Sequence, residues 1–278
     1  MKINNIIRCA LMCLEMFGYA GGIKRQIYFL SFADRRLRKS LKRIKKQAKE
    51  IDVFDKIYCW DERSLDRDFW KKRGNFCKTN RGFGFYIFKP QMSLQVLEEM
   101  QDGDILLFCD AGCHIHKCGK MRLLQYFDML DQSENGVLAF DQNHIEKIWT
   151  KGDLFDYFGV RSNTDITEST QLLGGIYLIK KCDKSVELVK KWLAVYDDVH
   201  LVDDSPSVSP NFEGFREHRH DQSVFSILCK INKVPVVAPY ETHPPYPIAA
   251  VRDKEYCKPP LWKRALRKIK KLLLHNKT

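Results

Sequence analysis

The chain is poor in the features that would assign it quickly. Its most apolar N-terminal stretch, Cys9 to Ala20, is too short to cross a bilayer, is interrupted by Glu15 and ends in no convincing small-residue cleavage site. That excludes a secretory signal or a spanning segment there and leaves a surface or interfacial helix over residues 1–25. No GxGxxG and no GxxxxGK(S/T) follows the first strand pattern, so the usual dinucleotide and phosphate-loop cradles are missing. A nucleotide would be held by other means. There is no HExxH zinc motif, no internal repeat and no signature of an RNA- or DNA-binding module. The 10 cysteines form no framework: they are scattered, and Cys59, Cys109 and Cys229 fall inside apolar runs. Reduced, buried thiols in a cytosolic protein follow from that pattern. Acidic residues are also short, 35 Asp and Glu against 47 Lys and Arg, for a formal charge of +12. The excess favours an anionic partner, whether nucleic acid, membrane surface or phosphorylated substrate, and composition does not choose among them.

With 278 residues, 44% hydrophobic and 12% aromatic, the chain has the makings of one large core and is no disordered tail. Its organising stretch is Asp102 to Gly119, DGDILLFCDAGCHIHKCG. Turn residues precede five apolar residues, Ile105 to Cys109, which stop abruptly at Asp110-Ala111-Gly112. Such a run suits a strand buried on both faces of a parallel sheet. Asp110 then sits at its carboxyl end, where open α/β sheets gather ligands. Two readings of Asp110 stand at this point: a carboxylate that holds a divalent cation and through it a diphosphate, or the cap of the next helix or turn.

Around that stretch the pattern is strand and helix in alternation. Gln26 to Ala33 reads as a strand, Asp34 opens an amphipathic helix with Leu37, Leu41, Ile44 and Ala48 on one side and nine Lys and Arg on the others, and Phe54 to Trp60 reads as the next strand. That is a βαβ unit with a parallel pair. The cationic face of the helix is either solvated or in contact with anionic lipid or substrate. Arg81 to Pro90, RGFGFYIFKP, is dense in rings, either core or a stacking surface with Lys89 beside it for a phosphate. Helices are expected over about Gln91 to Met100, from Gly119 to Asp131, from Asp183, and over Val224 to Lys230. Val137 to Phe140 is a further strand, and Gln171 to Lys181 is a strand broken by Gly174-Gly175, a mark of close approach by backbone or ligand. His200 to Phe215 is a long loop, Tyr240 to Pro260 Pro-rich extended coil, and Leu261 to Leu274 a basic amphipathic helix, either membrane-bound or docked on the domain.

Two His-x-His pairs, His114/His116 and His218/His220, raise a zinc-dependent hydrolase as an alternative, and Cys113, His114, His116 and Cys118 a structural zinc site. Neither spacing is specific. The basic residues lie on two helices without interleaved exposed aromatics, which argues against nucleic acid.

Taken together, IYFLSFAD, the aromatic segment ending in KP, DGDILLFCDAG, GGIYLIKK, a Trp192-bearing helix and HDQSVFSIL resemble the nucleotide-sugar-dependent glycosyltransferases of the GT-A fold, in particular bacterial enzymes of lipopolysaccharide and capsule synthesis. The resemblance implies a mixed, mostly parallel Rossmann-like sheet flanked by helices over residues 26–256; residues 257–278, which carry the basic amphipathic pattern, stand apart as a C-terminal helix. It implies Ser31 and Ala33 near the base or ribose, Lys89 near the diphosphate, and Asp110, Ala111 and Gly112 at the donor. It further implies Gly174 and Gly175 at the sugar, Asp221 and Gln222 as the catalytic pair, and Asp110 with His243 as ligands of manganese or magnesium. The donor implied is a nucleoside diphosphate sugar, with uridine diphosphate the expected carrier. The acceptor implied is a glycan or lipid-linked saccharide at the cytoplasmic face of an anionic membrane, with the protein peripheral there. One departure stands out: Gly112 occupies the place of the motif's second aspartate. Either His243, His114 or a phosphate and water fill the gap, or the enzyme binds metal weakly and relies on cationic side chains, or the chain is a degenerate donor-binding module.

Overall fold

The computed structural model describes residues 25–255. The expected interfacial segment (all but residue 25) and the helix over Leu261 to Leu274 lie outside the described residues.

Strand β1 (Ile27–Phe32) is followed by a helical turn capped by Asp34, whose Oδ1 accepts from the Arg36 amide at 2.8 Å, and then by helix α1 (Arg38–Ile51). Strand β2 (Lys56–Trp60) lies parallel to β1, with Leu30 opposite Tyr58, which completes the expected βαβ unit. Helix α2 (Arg67–Thr79) and helix α3 (Phe88–Glu99) lead to β3 (Ile105–Cys109), parallel to β1 on its other side. Helix α3 starts three residues earlier than the sequence suggests. Pro90 falls in its first turn, where the missing amide is not needed for the helix.

Beyond β3 come the two-residue strand β4 (His114–Ile115), helix α4 (Lys120–Asp131), β5 (Val137–Ile145), β6 (Thr170–Leu172), β7 (Ile176–Lys180), helix α5 (Asp183–Ala194), helix α6 (Asp221–Ile231), β8 (Val236–Val237) and β9 (Ile248–Ala249). The main sheet has seven strands in the order β2-β1-β3-β7-β5-β6, with β8 beside β5. β1, β2, β3, β5 and β8 point one way and only β6 and β7 the other, a mixed and mostly parallel sheet as expected. The Gly174-Gly175 break does not merely weaken one strand: it separates β6 from β7, and β5 passes from one to the other, Leu138 opposite Leu178 and Asp141 opposite Leu172. β4 and β9 form a separate ribbon, so the Pro-rich segment read as coil contains a strand.

Alternation along β1 and β3 sends their side chains into two cores. Tyr28, Leu30, Phe32, Leu106 and Phe108 pack with α3, α5 and α6 on one face. Ile27, Phe29, Ile105, Leu107 and Cys109 pack with α1 and α4 on the other. Both faces are therefore dry, which is why these strands carry no polar alternation. Trp192, fully buried, packs on Tyr177 and Phe225 and belongs to the first core. Seven cysteines among the described residues are free thiols, and burial pushes that of Cys59 up to about 12.

Candidate active site

A cleft of about 500 Å³ opens at the carboxyl ends of β1 and β3. Ala33 and Asp34 from the end of β1, Asp110 to Gly112 from the end of β3, Lys89 from α3, Gly175 between β6 and β7, and Asp221 and Gln222 from α6 all line it. Parallel strands end together, so residues far apart in sequence meet at one edge.

At its centre lies Lys89, almost wholly buried. Its Nζ stands 2.7 Å from Oδ2 of Asp221, 3.4 Å from Oδ1 of Asp110, and donates to the Gly174 carbonyl at 2.9 Å. Burial works against the ammonium, but the two carboxylates outweigh it and hold its pKa above the ordinary lysine value. Asp221 is driven the other way: burial pushes its carboxyl up to about 6, although Lys89 pulls against this. Asp110 is nearly half exposed and open to a ligand.

The paired glycines are what the carboxylates need. A Cβ on Gly175 would stand 2.7 Å from Oδ2 of Asp110, and one on Gly174 would stand 2.9 Å from Cα of Gln222 and 3.0 Å from Oδ2 of Asp221. Gln222 is spent on scaffolding. Its Oε1 accepts from the Gly174 amide at 3.3 Å, and its Nε2 donates to Gln142 and Gln171, each at 2.6 Å.

Backbone strain gathers at the same place. Gly82, Phe83, Gly84, Phe85 and Tyr86 all have positive φ, from 48° to 75°. Three of them carry side chains that disfavour this conformation by about 1–2 kcal/mol each. The turn is held where Tyr196 Oη donates to the Phe85 carbonyl at 2.6 Å, and it brings the Tyr86 ring within 5.1 Å of Lys89 Nζ. His220, next to Asp221, has φ 51°, and its Nδ1 donates to the Val202 carbonyl at 2.8 Å. Strain persisting beside a polar centre is characteristic of functional sites.

Several expected residues do not come to this centre. Ser31 is fully buried in β1 and does not line the cleft: it lies within the strand, whereas Phe32 and Ala33 at the strand's end reach the cleft. His243 lines a second recess with Asp141, His144 and Tyr240; the two spaces share Arg219 and Arg252, but the cleft around Asp110 does not include His243. The two His-x-His pairs do not meet either: His218 and His220 line the cleft, whereas His114 is tied to Gln47 and Asp253, each at 3.0 Å. Burial holds His218 well below the usual histidine range and therefore neutral.

The residues present do not fit the expected divalent ion. Lys89 already bridges Asp110 and Asp221, and a metal using both would face that ammonium at contact distance. Gly112 offers no ligand, and the space before it is tight: a Cβ there would stand 3.3 Å from Cα of Arg252. Among the described residues no group of three or more His, Cys, Asp or Glu side chains is arranged to hold a metal. The sequence gives no sign that Lys89 and Arg252 converge on the motif.

The cleft also holds residues that the sequence pattern did not single out. Arg36, Arg81, Arg219, Arg252 and Lys254 line it, with Asp34 and Glu217 as the remaining carboxylates. The Arg219 guanidinium stacks 4.1 Å over Trp149 and pairs with Glu217 at 3.0 Å, while its buried Nε has no hydrogen-bond partner. A legible signal existed only for Arg252 to Glu255, whose charges alternate in sign.

No family model and no curated protein matches this chain. Among solved structures it is similar to mouse xyloside xylosyltransferase 1 in its apo form, with 12% identity, a TM-score of 0.42, and coverage of 76% of this chain and 84% of that one. It is also similar to a glycosyltransferase involved in glycosylation of the major capsid of PBCV-1, with 12% identity, a TM-score of 0.41, and coverage of 77% and 80%. At this level of similarity the chemistry has to be read from the residues of the cleft itself.

Proposed function

We propose that the chain is a glycosyltransferase that moves a sugar from a nucleoside diphosphate donor, with uridine diphosphate as the expected carrier, to a glycan or lipid-linked saccharide. The observation that carries this reading is the convergence of Asp110, Lys89, Asp221 and the Gly174-Gly175 pair at the carboxyl edge of β1 and β3, in a cleft rimmed by arginines. In transfer, the bond from the anomeric carbon to the phosphate oxygen breaks and the acceptor oxygen bonds to that carbon. Its proton passes to the departing diphosphate. Positive charge grows on the sugar ring and negative charge on the leaving group. Asp221, ionised above about pH 6, and Asp110 face the first; the cationic rim faces the second. Lys89 bridges the two carboxylates, and the glycines leave room for the sugar beside them.

Incubation of the protein with a panel of nucleotide sugars and saccharide acceptors, scored by release of nucleoside diphosphate, tests the reading. Release from one donor that is lost in Asp221→Asn supports it. No release from any donor, in a protein that nevertheless binds one nucleotide sugar, favours the second reading, a donor-binding module in which Gly112 marks lost chemistry. Among the described residues no helix is long and apolar enough to cross a membrane. For the membrane-proximal role in surface polysaccharide synthesis, the basic sequence of residues 257–278 is the support. Deletion of that segment should abolish sedimentation with anionic vesicles and leave donor turnover intact.

A further inference from the structure

The segment that closes over Gly112 is built as a strap with two charged sides. Asp253 and Glu255 face α1, where Arg43 Nη1 reaches them at 3.0 and 2.6 Å. The other nitrogen of the same guanidinium, Nη2, donates to the carbonyls of Ala111 at 3.1 Å and Asp253 at 2.9 Å. The Asp253 amide donates to the Gly112 carbonyl at 2.9 Å, the Glu255 amide to Ser40 Oγ at 2.7 Å, and His114 Nε2 stands 3.0 Å from Oδ2 of Asp253. The acidic half of the strap is thus pinned to the loop after β3. The alternate residues, Arg252 and Lys254, line the cleft, and among the described residues neither has a hydrogen-bond or ion-pair partner.

Arg252 also sits at φ 54°, a conformation arginine adopts at a cost. Its Cα lies in front of Gly112, 3.3 Å from where a Cβ would stand, so a side chain there would press on the strap. Arg219, which shares both recesses with it, adds a second guanidinium on the same side. Two arginines and a lysine lining one cleft, with Glu217 paired to Arg219 alone, are unfavourable until an anion arrives. The repulsion shows in Arg219, which burial first and then Arg252 hold below the usual arginine range.

We propose that Arg252 and Lys254, delivered by this strap and seconded by Arg219, take the donor's diphosphate in the role the expected metal ion would have played, so that donor binding needs no divalent cation. This rests on the glycosyltransferase reading above and deepens it. Guanidinium groups suit the task, because they bond phosphate oxygens in a fork and keep their charge at every working pH.

The test is calorimetric binding of UDP, GDP, CDP and ADP to the full chain, each in EDTA and in manganese, with the matching monophosphates for comparison. For the diphosphate that binds, the dissociation constant should differ by less than about twofold between the two buffers. Arg252→Asn, which keeps a residue tolerant of the left-handed conformation, should weaken it about tenfold or more in EDTA and erase most of the preference over the monophosphate. Lys184→Ala, on the exposed side of α5, should leave it unchanged. Binding that appears only with manganese, or Arg252→Asn binding like the wild type, overturns the clamp and leaves the transferase reading intact. If no nucleotide binds in either buffer, the transferase reading falls and takes the clamp with it.

Discussion

Two buried carboxylates sit on either side of Gln171 and have opposite fates. Glu146, fully buried, accepts from Thr150 Oγ1 at 2.6 Å and Gln171 Nε2 at 2.8 Å on one oxygen, and from Ser226 Oγ and from Lys230 Nζ at 2.7 Å on the other. Every lone pair it offers is taken. Asp221 is nearly as buried, yet its contacts are the Lys89 ammonium and the Gln222 amide, and it faces a cleft. Gln171 joins the two, giving its amide to Glu146 and accepting from Gln222. A saturated carboxylate holds a fold together; an unsaturated one keeps capacity for a ligand. The same residue chemistry thus serves structure in one place and a site in the other.

Lys89→Met would break this contrast most severely. It leaves Asp110 and Asp221 without their shared cation, so the protein should lose about 3–5 kcal/mol of stability at neutral pH and all transfer. Denaturant unfolding at two pH values would check it, with the deficit shrinking at acid pH as Asp221 protonates. Next in size is the exchange of roles. Asp221→Asn should cut turnover by about a hundredfold or more with the fold intact, whereas Glu146→Gln should cost about 3 kcal/mol by stranding Lys230 and spare turnover per folded molecule. Turnover normalised to folded protein separates the two; equal losses in both would remove the distinction.

The contrast sharpens with pH. The folded-state pKa of Asp221, about 6, is above that of an unfolded aspartate, so the fold favours its neutral form. Its contribution to stability is fully present below the unfolded value and is lost as pH rises through about 6. Asp221→Asn should therefore gain melting temperature relative to the wild type between pH 5 and about 7.5, while wild-type turnover should fall on the acid side with a midpoint near 6. A flat difference across that range would show that Asp221 is not strained by its charge. A smaller effect is expected of Gly175→Ala, whose methyl group would push on Asp110 Oδ2. About a tenfold loss of turnover with little change in melting temperature would fit, since the displaced group is exposed.

Part of the site was legible because local patterns report local structure. The apolar run Ile105 to Cys109 implied a two-faced buried strand, and Asp110 followed at its carboxyl end. Gly174-Gly175 signalled close approach, and the glycines do abut Asp221 and Asp110. Asp221 at the start of α6 was placed well, with its ion pair to Lys89 hidden. Gln222 was read as reactive, but its amide is occupied by Gly174, Gln142 and Gln171, partners on other elements. His243 was paired with Asp110 by resemblance, and the turn after β8 carries it to the neighbouring recess instead. The left-handed turn over Gly82 to Tyr86 is not legible in the sequence, because Phe83, Phe85 and Tyr86 give no local warning of positive φ.

The sequence by itself determined the opening strand-helix-strand unit, the two-faced burial of β1 and β3, and the position of Asp110 at a strand end. These follow from periodicity, turn chemistry and the short reach of backbone hydrogen bonds. Tertiary structure alone decided that Lys89 lies between Asp110 and Asp221, that Arg252 closes the space before Gly112, and that Glu146 is saturated while Asp221 is not. Each of those depends on side chains from separate elements meeting in a low-dielectric space. Their charges and desolvation set one another there, and no local pattern records such a meeting.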